Sequence, residues 1–179
     1  MSRWEVTGIP EGESGDFSIH HCTTTTGPAG WLNYVNYKGL TGSSYTVLCQ
    51  KFNESPWLNI MQDSEAEYTE HDWLVSRMSG DILLGGLGIG MIHIPLLAAS
   101  AVTSVTIVEK YQDVIDLVWD DCPKDERFTI VCDDINTWDP DSTDGLPTTN
   151  WDVAWFDTWL THDEPLSQYI TRMNDKYGE

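Results

Sequence analysis

Basic side chains are scarce in this sequence: nine Lys and Arg stand against 29 Asp and Glu, and the formal net charge is −20 at pH 7. Because binding to a phosphate backbone relies on Lys and Arg, this scarcity excludes a nucleic acid as the expected partner. A field of this sign attracts cations, so a cationic substrate is one interpretation. Solubility or adaptation to high salt is the alternative, and the spread of Asp over nearly every loop favours it.

Long apolar runs and closely spaced cysteines are also absent. No apolar run approaches the ~20 residues of a membrane span, and the first residues lack the basic and then apolar layout of a signal peptide. We therefore expect no membrane association and a cytoplasmic location. The four cysteines, at positions 22, 49, 122 and 132, show no C-x-x-C spacing. They indicate neither a zinc site nor a redox pair, so we expect free thiols.

A glycine-rich stretch marks the centre of the chain. The unbroken apolar run Ile82–Leu84 is typical of a strand buried on both faces of a parallel sheet. Gly86, Gly88 and Gly90 then recur at every second position, and the mostly apolar run Met91–Val102 is long enough for a helix. This order predicts a strand, a glycine turn and a helix. Such a turn lets a ligand lie against the backbone. A tight turn without a ligand is the alternative.

Three further apolar runs end in acidic residues. Ser104–Val108 is followed by Glu109, Phe128–Cys132 by Asp133 and Asp134, and Trp151–Phe156 by Asp157. Four such runs in succession predict an α/β fold with one parallel sheet whose polar groups gather at its carboxyl edge, where open α/β folds bind ligands. Glu109 lies within the ~20-residue offset from the glycines at which a nucleotide-binding unit places an acid on ribose hydroxyls.

The N-terminal third has a different pattern. After an irregular lead-in over 1–15, short segments with strand-type residues are separated by turn residues, which predicts antiparallel hairpins. The expected strands are Phe17–Thr24, Trp31–Tyr37, Tyr45–Phe52 and Pro56–Met61. Neighbouring strand residues point to opposite faces, so His20 and His21 cannot share a ligand, and we expect no metal site. We predict a β-meander over 1–63 and a parallel-sheet domain over 64–179.

In the second region, helix-capping and helix-breaking residues predict where the helices begin and end. Thr69 is expected to cap a helix in which Asp72 completes a capping box and which Gly80 closes. Because Pro95 is tolerated only in a first turn, the helix after the glycines should begin at about His93 or Ile94. Further helices are predicted over Asp113–Trp119 and Glu164–Tyr177.

The order of the glycines, the strand-end acids and the segment Trp151–Asp157 resembles the class I S-adenosylmethionine-dependent methyltransferases. Within that fold the chain is most similar to the spermidine synthases, which also carry a small N-terminal β-domain. Their acidic helix start before the glycine motif is similar to Asp63–Asp72 here. The resemblance covers about Tyr45–Pro165 and implies a Rossmann-like sheet that binds S-adenosylmethionine or its decarboxylated form.

The resemblance also implies roles for individual residues. The three glycines would face the methionine part of the cofactor, and Glu109 would hold the ribose hydroxyls. Either Asp133 or Asp134 would lie near the adenine amine; a turn cap is the alternative for this pair. Asp157 would accept a proton from the attacking acceptor, or else be a plain loop acid. His162 is a second candidate proton acceptor.

The chain departs from the family pattern at several positions. Ile89 stands where the synthases have Asp, Glu67 where they have Gln, and Leu160 in place of a second acid after Asp157. Arg77 lies near the expected polyamine site. The sheet also looks shortened after its fourth strand, and an uncovered edge would favour self-association into a homo-oligomer.

Three hypotheses remain open at the level of sequence. The first is a cytosolic transferase that moves a methyl or aminopropyl group to a small acceptor, and the second is a catalytically inactive, shortened module that acts by binding. The third, a nicotinamide-binding domain, also fits the glycines and Glu109 but does not account for the meander.

Overall fold

The computed structural model describes residues 4–42, 44–53, 55–158 and 166–178. The strands are β1 (Gly12–Ser14), β2 (Phe17–Cys22), β3 (Tyr45–Gln50), β4 (Leu58–Gln62), β5 (Gly80–Gly85), β6 (Val102–Glu109), β7 (Phe128–Cys132) and β8 (Val153–Phe156). The helices are α1 (Ala29–Lys38), α2 (Glu65–Val75), α3 (His93–Ala98), α4 (Gln112–Val118) and α5 (Leu166–Tyr177), with a 3-10 turn at Pro140–Ser142.

The first four strands form an antiparallel sheet in the order β1-β2-β3-β4. The lead-in predicted to be irregular contains β1, which pairs with β2 across a tight turn where Gly15 has φ 52°. The predicted strand Trp31–Tyr37 is wrong, because this segment is helix α1. Trp31 and Val35, one turn apart, are both buried on one helix face, and Gly39 ends the helix at φ 67° with its N–H donating to the Val35 carbonyl.

The last four strands form a parallel sheet in the order β7-β6-β5-β8. The chain is therefore an α/β protein with one antiparallel and one parallel sheet, as predicted. Counted from β5, the parallel strands lie in the order 3-2-1-4, which is also how the first four strands of a doubly wound sheet are arranged. The chain reverses its direction of travel across the sheet between β5 and β8, so the carboxyl edge there is a topological switch point.

Three helix boundaries differ from the prediction. Helix α2 ends at Val75 and not at Gly80, which is the first residue of β5. Helix α2 begins at Glu65 because Ser64 caps it, with its hydroxyl accepting from the Glu67 N–H, so the predicted cap at Thr69 is wrong. Thr69 lies inside the helix and its hydroxyl donates to the Glu65 carbonyl. Helix α3 begins at His93, as predicted, but it ends at Ala98 because the chain must enter β6.

The two sheets share one hydrophobic core. The largest buried cluster takes Phe17, Ile19 and Leu48 from the antiparallel sheet and Ile82 and Leu84 from the parallel sheet. Helix α4 packs against β1 and β2 as well as β6. The predicted boundary at residues 63 and 64 falls between β4 and α2. Among the described residues, no helix combines the length and the apolar character that crossing a bilayer requires.

All four cysteines are free, as predicted, and burial raises the pKa of the Cys22 thiol to about 12. His20 and His21 make separate contacts: His20 Nε2 lies 2.8 Å from the Ser18 hydroxyl, and His21 Nε2 lies 2.8 Å from the Ile9 carbonyl.

Candidate functional site

A cavity of about 420 Å³ lies at the carboxyl edge of the parallel sheet and is covered by the antiparallel sheet. Its volume is within the range of small-molecule sites, about 300–1,000 Å³. The parallel-sheet region contributes mostly polar lining, and the antiparallel sheet contributes apolar lining. From the parallel-sheet region the lining includes Gly86, Gly88, Glu109, Lys110, Asp134, Asn136, Asp157 and Thr158. From the antiparallel sheet it includes Phe17, Leu48, Ile60 and Met61.

The glycine turn forms one wall of the cavity through two of its three glycines. Gly86 has φ 98°, and a Cβ there would lie 2.7 Å from the backbone oxygen of Asp157. Gly88 has φ 54° and packs under the sulfur of Met61. Gly90, at φ 66°, instead faces the Cβ of Cys122 and is not part of the lining. The structure therefore brings Gly86 and Gly88 to the cavity and places Gly90 behind it.

Glu109 joins the end of β6 to the glycine turn. Its side chain is buried; one carboxylate oxygen accepts from the Leu87 N–H at 2.8 Å and the other from the Tyr111 N–H at 2.9 Å. Burial raises the pKa of Glu109, although these backbone hydrogen bonds favour the ionised form. A carboxylate has about four acceptor positions, so its oxygens retain capacity for donors from the cavity that Glu109 lines.

The two acids after β7 separate in space. Asp134 lines the cavity, where its carboxylate lies 2.9 Å from Lys110 Nζ and accepts from the Asn136 N–H at 3.0 Å. Asp133 is exposed, accepts from the Asp134 N–H at 2.7 Å and lies outside the lining. Both side chains thus stabilise the turn after β7, and of the two only Asp134 reaches the cavity.

Asp157 is paired with a histidine that the sequence analysis did not single out. Its carboxylate lies 3.2 Å from Nε2 of His71, which is only 3% exposed, while Asp157 is 38% exposed. Nδ1 of His71 lies 2.8 Å from the Glu67 carbonyl; because a carbonyl can only accept, Nδ1 carries the proton. Burial opposes charge on the imidazole, but these two hydrogen bonds and the charges of Asp157 and Glu67 outweigh it, so the pKa of His71 is raised.

Glu67 completes a cluster with this pair. Burial, reinforced by the charges of Asp157 and Glu70, raises the pKa of Glu67 to about 7. Its carboxylate accepts a hydrogen bond from the side-chain amide of Gln62, which also donates to the Tyr34 hydroxyl. The cluster therefore places concentrated negative charge beside one imidazole at the rim of the cavity.

A second and wider cleft, about 900 Å³ as bounded by the described residues, lies on the other side of Asp157. Its lining is largely aromatic and apolar and includes Trp151 just before β8, Phe156 of β8, and Tyr169 and Met173 of α5. Glu70 and Asp157 line both spaces. The Asp157 carboxylate thus lies where the polar cavity and the aromatic cleft meet.

The sequence offered a partial signal for the missed residues. Glu67 and His71 are four positions apart on α2, the spacing that places two side chains on one helix face. Their partner Asp157 lies 86 residues after His71, and no local pattern predicts such a contact. The other candidate proton acceptor, His162, lies outside the described residues.

Comparisons with known proteins add no family assignment to this geometry. No protein-family model matches the chain, and no curated protein matches it in sequence.

Proposed function

We propose that the chain is a small transferase of Rossmann-like, methyltransferase-type fold that binds S-adenosylmethionine or its decarboxylated form in the 420 Å³ cavity. The observation that carries the proposal is that Gly86, Gly88, Glu109 and Asp157, from three strand ends, line one ligand-sized space. That space lies at the switch point of the parallel sheet, where open α/β folds bind ligands.

The parts of a sulfonium cofactor have suitable partners in this cavity. The free oxygen lone pairs of Glu109 can accept from ribose hydroxyls, because the backbone occupies only part of their capacity. The two glycines allow the cofactor to lie against the backbone, and Asp134 with Asn136 offers polar groups near Ile135 for the base. The carboxylates of Glu67, Glu70 and Asp157 would attract the positive sulfonium centre to the opposite end.

The transfer itself needs little covalent chemistry from the protein. A bound sulfonium compound would supply an activated carbon and leave as a neutral thioether that keeps the electron pair of the broken C–S bond, and the acceptor nitrogen would supply the pair of the new C–N bond. The proton that the nitrogen loses passes to the Asp157 carboxylate, which His71 orients through its 3.2 Å contact. Asp157 lies where the cavity meets the aromatic cleft, a position from which it can reach an acceptor in that cleft.

Calorimetric titration of the full chain with S-adenosylmethionine, its decarboxylated form and NAD tests the proposal. We expect micromolar binding of one sulfonium compound, at least tenfold weaker in Glu109→Gln and abolished in Gly88→Val. The preferred sulfonium compound separates methyl from aminopropyl transfer. Tight binding of NAD instead would identify a nicotinamide site.

Matched variants distinguish a lost site from a lost fold. Gly39→Val changes a glycine with a similar φ of 67° and no neighbour near its Cβ, and Glu126→Ala removes an exposed acid outside the cavity. Both should bind as the wild type does. If the folded wild-type chain binds none of the three compounds, the transferase proposal fails and the alternative, a binding module without turnover, becomes the better account.

A further inference from the structure

The Glu67, His71 and Asp157 cluster has the composition of a metal site. Each side chain offers one ligand atom, and the three atoms lie within 4.8 Å of one another. We propose that this cluster binds one divalent transition-metal ion, with Zn²⁺ as the best match, at the rim of the cavity. No metal site was expected from the sequence, since neither the cysteine spacing nor the adjacent histidines indicated one. This cluster is not visible as a local pattern, because two of its ligands come from one helix and the third from a distant strand end.

The donor atoms select the class of ion. One imidazole nitrogen and two carboxylate oxygens suit first-row divalent ions such as Zn²⁺, which accept mixed nitrogen and oxygen ligands. Mg²⁺ and Ca²⁺ are harder cations that prefer oxygen ligands alone. The buried imidazole of His71 therefore favours Zn²⁺ over Mg²⁺.

The separations fit one ion with a small adjustment. Two ligands each ~2.1 Å from a tetrahedral ion lie ~3.4 Å apart. Nε2 of His71 and the nearer oxygen of Asp157 are already 3.2 Å apart. The Glu67 oxygen lies within 4.8 Å of both atoms, so its side chain would have to move closer to them to enter the same coordination sphere.

The residues behind the ligands hold them in the orientation a metal requires. His71 directs its protonated Nδ1 to the Glu67 carbonyl at 2.8 Å, which leaves the lone pair of a neutral imidazole on Nε2, facing Asp157. The amide of Gln62 donates to the Glu67 carboxylate. The backbone N–H of Asp157 donates to the Gly85 carbonyl at 3.0 Å, which fixes the third ligand to the end of β5.

The charge of the site also favours a cation. The carboxylates of Glu67, Glu70 and Asp157 lie together at the edge of the cavity in a partly buried setting, where they repel one another. A bound dication would offset that repulsion.

The proposed metal site does not depend on cofactor binding, because all three ligands come from the protein. With the ion bound, Asp157 is a ligand and not a free base, so the ion and an amine acceptor would compete for the same carboxylate.

The test is metal binding by the full chain after chelator treatment, without cofactor. Zn²⁺ affinity is measured by competition with a chromogenic indicator at elevated NaCl, which screens attraction to the acidic surface. Co²⁺ serves as a spectroscopic probe. We expect one equivalent of Zn²⁺ and a Co²⁺ ligand-field spectrum of four or five coordination. Glu67→Gln and Asp157→Asn should each weaken Zn²⁺ binding at least tenfold.

Two controls use exposed carboxylates on the same helix, Glu65→Gln and Asp72→Asn, which should leave the affinity unchanged. Thermal unfolding of each metal-free variant verifies that it is folded. Equal affinities in all four variants and the wild type would overturn the proposal, because the ion would then be held by general surface charge. A folded wild type that takes up a diamine but no Zn²⁺ would also overturn it and would make the cluster an amine site.

Discussion

The two sheets contribute to the cavity in different ways. The parallel sheet supplies backbone turns and polar side chains at fixed strand ends, including Glu109 and Asp157. The antiparallel sheet supplies the apolar side chains of Phe17, Leu48, Ile60 and Met61, which close the space. The chemistry is therefore tied to the register of one sheet, whereas the shape of the site depends on apolar side chains of the other.

Gly86→Ala should disrupt the glycine turn and have the largest effect on stability. A Cβ at position 86 would combine φ 98° with a 2.7 Å approach to the Asp157 backbone oxygen, and a backbone atom cannot move aside cheaply. We expect a loss of about 3 kcal/mol in the free energy of unfolding, measured in urea. Gly39→Ala, at φ 67° with open space around its Cβ, should cost only about 1 kcal/mol. Equal losses would show that the approach to Asp157 is not a constraint.

Acid should weaken the parallel-sheet region through His93, at the start of α3. Burial lowers the pKa of this imidazole to about 4. Nδ1 lies 3.0 Å from the Pro123 carbonyl, and Nε2 finds no hydrogen-bond partner among the described residues. The stability that the neutral form provides is therefore present above pH 6.5 and is lost as the pH falls toward 4, because the unfolded chain binds the proton first.

The expected loss from His93 between pH 7 and pH 5 is about 2 kcal/mol. His93→Gln should remove this part of the pH dependence, whatever its stability at pH 7, as followed by urea unfolding at both pH values. His21→Gln, at an exposed position on β2, controls for the loss of a histidine from the other sheet. An unchanged pH dependence in His93→Gln would contradict the prediction.

The contact between Gly88 of the glycine turn and Met61 of the antiparallel sheet can be measured directly. A Cβ at position 88 would overlap the sulfur of Met61, so in Gly88→Ala the methionine side chain must move. Met61→Ala should cost less in the Gly88→Ala background than in the wild type. We expect a coupling energy of about 1 kcal/mol from a double-mutant cycle in urea. Strictly additive changes in the free energy of unfolding would mean that the Met61 side chain does not touch the glycine turn.

The smallest expected effect concerns the link between the sheets outside the cavity. The Ser14 hydroxyl on β1 donates to the Asp113 carboxylate on α4 at 2.7 Å, at a partly buried position. Ser14→Ala should lower the free energy of unfolding by about 1 kcal/mol or less and leave ligand binding unchanged. A change in ligand affinity would show that this hydrogen bond also sets the distance between the two sheets across the cavity.

The parallel sheet was predictable because its signals are local. Phe128–Cys132 has the predicted bounds, and the strand-end positions of Glu109, Asp134 and Asp157 follow from where apolar runs stop. The runs of β5 and β6 are buried on both faces because these two strands form the centre of the sheet, whereas β7 and β8 are edge strands and only partly buried. The sequence therefore predicted which acids reach the carboxyl edge.

The antiparallel region was predicted less well because tertiary burial overrides β propensity there. The aromatic and β-branched residues of Trp31–Tyr37 favour a strand, but the spacing of Trp31 and Val35, together with Gly39, fits the helix observed. Ser64 and Glu67 likewise have the capping-box spacing that Thr69 and Asp72 imitate. In each case the sequence contains two competing local patterns, and the structure has one of them.

The pairing of His71 with Asp157 could not be predicted, since it joins a helix before the parallel sheet to the end of its last strand. The same topology has a consequence for how the protein is made. The cavity lining runs from Phe17 to Thr158, so synthesis must have passed Thr158 before the site can exist. Strand β8 pairs with β5 although β6 and β7 lie between the two strands in the sequence. Completion of the site is therefore a late folding event that depends on a long-range contact. A chain halted before β8 would bury much of its core and yet have no ligand to protect it from proteolysis.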